Sequence, residues 1–220
     1  MTRTPATSIN SLLRPCLLLV SCLLLGACAA LPDKPLRAAV YDFGPGARAN
    51  PAAIAAASGQ ATAIELGEVD AASALDSTAL LYRLAYTDAQ LLQPYAQARW
   101  SMPPALLLHQ RLRETLGRQQ TVLRQGDGVV VGTAAARLLQ LELAEFSQVF
   151  DAPHTSVGLV RVHATVVAPS AGGGGRLLAQ RSFVAQQPAP SADAAGGVHA
   201  LTAASDQVLS DIAQWLSTLR

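Results

Sequence analysis

Apolar residues recur along this chain with the period of a strand through most of its length and with the period of a helix in two places. Arg37 to Phe43 alternates, with Ala39, Tyr41 and Phe43 on one face, and stops at Gly44-Pro45-Gly46, which predicts a first strand. Residues 46–60 are alanine-rich and read as loop. Ile64, Leu66 and Val69 place a second strand near 62–67, followed by a loop or short turn over 70–77. Tyr82, Leu84 and Tyr86 alternate over 80–86, Thr87-Asp88 supplies a turn, and Gln90 to Trp100 alternates again. In that last run Gln93, Tyr95, Gln97 and Arg99 face one way and Leu92, Ala96, Ala98 and Trp100 the other, so the pair reads as a hairpin.

The period changes at Met102-Pro103-Pro104. Proline is tolerated in a first helical turn, and Ala105, Leu108, Leu112 and Leu116 form one stripe that Gly117 ends. A short strand is expected over 120–124, broken at Gln125-Gly126-Asp127-Gly128. Three long alternating runs follow, 137–150 with a slip of register after Leu143, 157–168 and 177–187, the last two joined by a glycine-rich turn at 172–175. They predict an antiparallel meander. Residues 188–197 read as a linker before a closing helix whose stripe is Leu201, Ala204, Val208, Ile212, Trp215 and Leu219. Together these predict an α+β fold: a mixed or antiparallel β-sheet with two main helices packed on one face.

The first 36 residues follow another logic. Arg3 and Arg14 precede the apolar run Leu17 to Leu25, and Gly26-Ala27 lead into Cys28. That order is a secretory leader, and its apolar core is far short of the roughly 20 residues that a spanning helix needs. Leu25-Gly26-Ala27-Cys28 resembles the bacterial lipoprotein signal. The resemblance implies cleavage before Cys28, acylation of its sulfur and of the new amino terminus, and a firm membrane anchor, since two acyl chains already hold stably. The expected organisation is a signal peptide over 1–27, a lipidated tether over 28–36 and a single α+β periplasmic domain over 37–220. Ala29 follows the cysteine with no aspartate to suggest inner-membrane retention, so the outer membrane, on its periplasmic face, is the expected location.

Composition narrows the chemistry. The precursor net charge of +1 becomes −1 once Arg3 and Arg14 leave with the leader, so no basic excess invites nucleic acid. Cys16, Cys22 and Cys28 are the only cysteines, so the mature domain is expected to fold without disulfides. His109, His154, His163 and His199 show no ligand spacing, which speaks against a metal site. No Gly-x-Ser-x-Gly pentapeptide occurs, and Glu142 and Glu145, three apart on one strand, are expected on opposite faces. The sequence offers no catalytic residues and no cofactor motif, and the chain is expected not to be an enzyme. Trp100 and Trp215 each sit in an apolar stripe and read as core.

The segment Tyr95 to Pro104 differs from its surroundings: an aromatic, then the Arg99-Trp100 pair at a strand end, then a proline-started helix with Leu107, Leu112 and Leu116. In a lipoprotein of this length it resembles the auxiliary lipoprotein component of ABC-type transport systems, the PqiC-like proteins associated with MCE-domain lipid transporters. The resemblance implies a non-catalytic component that docks an MCE-domain protein and, through it, an ABC permease and ATPase. Phospholipid is the implied cargo, and a homo-oligomer suits a ring-shaped partner. Tyr95, Gln97, Arg99 and Trp100 are then the candidate docking residues. Two other readings stand beside it: one in which Tyr95 and Arg99 organise the strand-to-helix corner alone, and one in which the chain is a structural or assembly lipoprotein of an outer-membrane complex.

Overall fold

A computed structural model describes residues 37–46, 63–126, 136–169 and 175–219. The leader, Cys28, the tether, most of the loop over 46–60 and most of the glycine-rich turn lie outside the described residues. In chain order the elements are β1 (Ala39–Tyr41), β2 (Ile64–Ala71), β3 (Ala79–Leu84), α1 (Ala85–Asp88), β4 (Ala89–Trp100), α2 (Pro104–Gly117), β5 (Val122–Arg124), β6 (Arg137–Ala152), β7 (Thr155–Pro169), β8 (Gly175–Pro188) and α3 (Ala194–Thr218). The fold is α+β, with one mixed sheet.

β6 is its spine. One edge of β6 pairs antiparallel with β7 along nearly the whole strand, and β8 continues the meander beyond β7. The other edge forks. Its first half, Arg137 to Leu143, pairs parallel with β2, which carries β5; its second half, Gln148 to Phe150, pairs parallel with β3, which carries β4 and then β1. Long α2 packs on the β2–β5 branch, α3 crosses β7 and β8, and the two helices touch. They cover the face that carries Leu139, Leu141, Leu143 and Phe146 of β6 and Val160, Val162, Ala164 and Val166 of β7, all of which are buried. This alternation is what a sheet with one covered face requires.

Several boundaries move, each for a physical reason. The first strand keeps only Ala39–Tyr41, because Phe43 and Gly44 leave the ladder and give their carbonyls to the Arg111 side chain. β2 runs on to Ala71 across a bulge between Leu66 and Val69. β3 stops at Leu84, and the expected end of that strand is the single turn α1. Residues 194–197, expected in a linker, are the first turn of α3: the Asp193 carboxylate accepts a hydrogen bond from the Gly196 N–H at 2.7 Å and caps the helix. Gly197 fits there because a side chain would strike the buried Gln148 amide. A bulge between Leu143 and Glu145 places Glu142 beside His163 and Glu145 beside Arg161, so the two glutamates share a face rather than opposing each other. Glu145 pairs with Arg83 at 3.1 Å.

Candidate functional site

β4 carries the residues that the sequence singles out, and its two ends are built differently. Against β3 its register holds at Arg83↔Leu92, Tyr82↔Gln93 and Leu81↔Pro94, then resumes at Ala79↔Arg99. Leu80 thus stands opposite Tyr95, Ala96, Gln97 and Ala98. An odd surplus of residues on one strand resets the alternation beyond it. The expectation that Tyr95, Gln97 and Arg99 share a face opposite Trp100 is therefore corrected: Tyr95, where the irregularity begins, packs inward, as do Ala98, where it ends, and Trp100 beyond it, while Gln97 and Arg99 are exposed.

Tyr95 belongs to a polar chain in the core. Its hydroxyl donates to Gln148 Oε1 at 2.8 Å, and Gln148 Nε2 donates to Ser156 Oγ at 2.8 Å, with both Gln148 and Ser156 buried. The Tyr82 ring lies 4.7 Å away and its hydroxyl donates to Gln93 Oε1 at 2.9 Å. Burial first, then the neighbouring Tyr82 and Asp193, pushes the Tyr95 hydroxyl up to about 12. Tyr95 is thus a neutral hydrogen-bond donor at any physiological pH.

Trp100 is only 1% exposed. Phe43 and Phe146 meet its ring edge-on at 5.7 and 5.6 Å, a geometry that aromatic pairs favour. Its indole nitrogen is buried with no partner among the described residues. Trp100 is a packing plate, and what β4 offers to a partner is Gln97 and Arg99, with Val40 of β1, 54% exposed, in register beside Arg99.

Sequence reasoning missed Arg111. It lies on α2 within the apolar stripe, one position before Leu112, and is 6% exposed. Its guanidinium donates to the Phe43 carbonyl, and to the Gly44 carbonyl at 3.4 Å, and lies 5.9 Å from the Phe43 ring centroid. Asp206 of α3 approaches its Nε at 3.3 Å and Glu114 stands at 4.0 Å. A buried arginine is tolerable only when its donors are matched in this way. The signal was present, a charge within the stripe of α2, but nothing local says what it would meet. Asp206 feels the contact too: partial burial raises its carboxyl from the ordinary value while Arg111 pulls it back.

Among the described residues no three histidine, cysteine or carboxylate side chains converge as a metal site, and no helix is long and apolar enough to cross a membrane.

Comparison with known proteins gives these features a family. The family model for the ABC-type transport auxiliary lipoprotein component matches residues 44–213. Protein XCC0632 from Xanthomonas campestris has a similar crystal structure, with a TM-score of 0.64 and 21% identity, covering 81% of this chain and 94% of that one. An uncharacterised protein of known structure superposes with a TM-score of 0.58 at 12% identity, covering 82% and 99%. At these identities the likeness speaks for the fold alone. No curated protein matches the sequence. The family match spans every strand but β1 and all but the end of α3, and on that ground the chain belongs to the ABC-type transport auxiliary lipoproteins.

Proposed function

We propose that this protein is a non-catalytic component of an intermembrane lipid-transport system, held to the periplasmic face of the outer membrane by lipid on Cys28 and docking an MCE-domain protein. The permease and ATPase are separate chains reached through that partner, and phospholipid is the cargo class. The observation that carries the reading is the family match; the β4 rim gives it a surface. There Gln97 and Arg99 are exposed over a rigid base, because the residues on either side, Tyr95 and Trp100, are fixed in the core. An exposed arginine and amide on a rigid strand can bind a partner with no backbone to order, leaving only the cost of fixing the two side chains.

Affinity purification from the native membrane in mild detergent, followed by mass spectrometry, tests this. An MCE-domain protein is expected to accompany the parent chain and to be lost with the double variant Gln97→Ala/Arg99→Ala, which leaves the core intact. Recovery only of outer-membrane assembly proteins, or no loss in the double variant, would refute the docking surface; the first outcome favours the assembly-lipoprotein reading. Trp100 is unsuitable for the test, because its replacement removes the packing plate itself.

A further inference from the structure

The sheet ends on β1, β5 and β8, and these strands are not alike. β1 and β5 have three residues each, too few to template another strand. β8 has 14 residues, pairs with β7 on one side, and has no strand on its other side among the described residues. Proteins blunt such edges with lysines, inward charges, prolines or bulges. β8 has no lysine and its proline is its last residue. After a single register shift its pairing with β7 is unbroken from Ala179 to Pro188. That leaves a long, regular edge.

The alternation of an antiparallel ladder determines which backbone groups this edge offers. The Ala189 N–H donates to the Ser156 carbonyl at 2.9 Å, in the same register that pairs Gln187 with Gly158. The odd-numbered residues from Ala179 on therefore bond to β7, and Gln180, Ser182, Val184 and Gln186 turn their N–H and C=O groups outward. Pro188 falls in the outward set, where its missing N–H costs no ladder bond. The side chains of all four outward residues are exposed. Beside them, β8 and α3 enclose an open groove of about 570 Å³ whose floor is Phe183 against Trp215, with ring centroids 5.5 Å apart. A strand laid along β8 would send every second side chain toward that groove.

Charge selects the occupant. β8 carries Arg176 and Arg181 and no carboxylate. Arg181 is exposed at the groove, its guanidinium 5.2 Å from the Phe183 ring centroid, and neither arginine has an ion pair among the described residues. The carboxylate in the groove lining, Asp211, stands on α3 and accepts a hydrogen bond from Gln207 Nε2 at 2.8 Å. Two copies of this chain joined along β8 would bring four guanidiniums and no carboxylate into one ladder, which disfavours self-pairing. We propose that the β8 edge receives an extended, carboxylate-bearing segment of a partner protein as an additional strand. Main-chain hydrogen bonds to the four outward residues hold the segment, a carboxylate faces Arg181, and an apolar side chain covers Phe183. The inference does not rest on the docking reading: β8 and β4 lie on opposite sides of β6, and its assay contains no MCE-domain protein.

The test uses the full-length chain in a maltoside detergent and two end-blocked, fluorescently labelled peptides that match Gln187 back to Ala179 in antiparallel register. The acidic peptide is Thr-Thr-Val-Thr-Val-Thr-Glu-Thr-Glu, and in the basic one lysine replaces both glutamates. By fluorescence anisotropy the acidic peptide is expected to bind at least about tenfold more tightly than the basic one. At saturation the amides of Gln180, Ser182, Val184 and Gln186, followed by NMR, should exchange their hydrogens at least about tenfold more slowly. Val184→Pro removes an outward N–H without breaking the ladder to β7, and should weaken binding by at least about tenfold. N-Methylation of the two peptide threonines that face Ser182 and Val184 should give the same loss with the parent chain, so the result does not depend on how that variant folds. Equal binding of the two peptides, no binding, or no protection of the four amides would each overturn the proposal. Protection in the absence of peptide would overturn it as well: if it rises with protein concentration the edge belongs to a second copy, and if it is independent of concentration, to another segment of this chain.

Discussion

The two branches that share the edge of β6 solve different problems with similar lengths of chain. The β3–β4–β1 branch is aromatic and pinned: Tyr82, Tyr95, Trp100 and Phe43 converge on Phe146 and Phe150, and Arg111 reaches across from α2 to hold the carbonyls that follow β1. The β2–β5 branch is short and bulged, and with α2 it borders an open cleft in which Arg113, Glu68 and Asp70 form no ion pair among the described residues. Both contain a register irregularity, yet the one in β4 turns side chains into the core and the one in β2 opens backbone to a cleft. An irregularity is therefore not functional or structural in itself. What packs over it decides.

Substitutions can break or sharpen that contrast. The largest effect belongs to Trp100→Ala, which removes a fully buried ring and should destabilise the domain by about 3–5 kcal/mol in chemical denaturation. A value below about 1 kcal/mol would show that the aromatic branch is not the pinned one. Next comes Arg111→Met, which leaves the Phe43 carbonyl and Asp206 without their charged donor and should cost about 2 kcal/mol. Its signature is local: hydrogen exchange should accelerate over residues 39–44 before it does in β6 or β7. Equal acceleration everywhere would deny Arg111 its role as a latch.

Tyr95→Phe deletes one hydrogen bond to Gln148 and should cost about 1 kcal/mol at neutral pH. The pH dependence gives a second reading. The Tyr95 hydroxyl ionises near its ordinary value of 10 in the unfolded chain but only at about 12 in the fold. Unfolding therefore releases a proton between those values, and stability falls as pH rises through that window. Tyr95→Phe should flatten this alkaline slope, and an unchanged slope would assign it elsewhere. The smallest effects belong to the other branch. Arg113→Gln and Glu68→Gln should each shift stability by no more than about 0.5 kcal/mol, as expected of side chains that bear no packing load. A larger loss from either would make the cleft part of the scaffold and erase the contrast.

Patterning alone located nearly every strand and both long helices, because alternation and the helical stripe are local consequences of burying one face. The lipoprotein-like pattern ending at Cys28 and the resemblance of Tyr95 to Pro104 pointed to the family that the comparisons bear out. Of the candidate docking residues, Gln97 and Arg99 are found at the surface, whereas Tyr95 and Trp100 are not, and the reason is the surplus of residues in β4 that resets its faces. Alternation read from sequence assumes an unbroken register, and the surplus in β4, unlike the slip after Leu143 of β6, leaves no mark in the run of apolar and polar residues. Arg111 escaped for a related reason: a buried arginine is worth keeping only through partners 68 and 95 positions away in the chain, Phe43 and Asp206, and no window of sequence contains them.

The forked edge of β6 belongs to the same class. Parallel pairing joins strands distant in sequence, and β2 and β3 look alike as alternating runs, so nothing in either says which half of β6 it will take. The sequence by itself determined most of the elements and the buried faces of the unbroken ones, since these follow from the local spacing of apolar residues. Only the tertiary structure decided which strands are neighbours, where their faces invert, and which charges meet a partner and which are left around a cleft, since each of those depends on contacts between residues far apart in the chain.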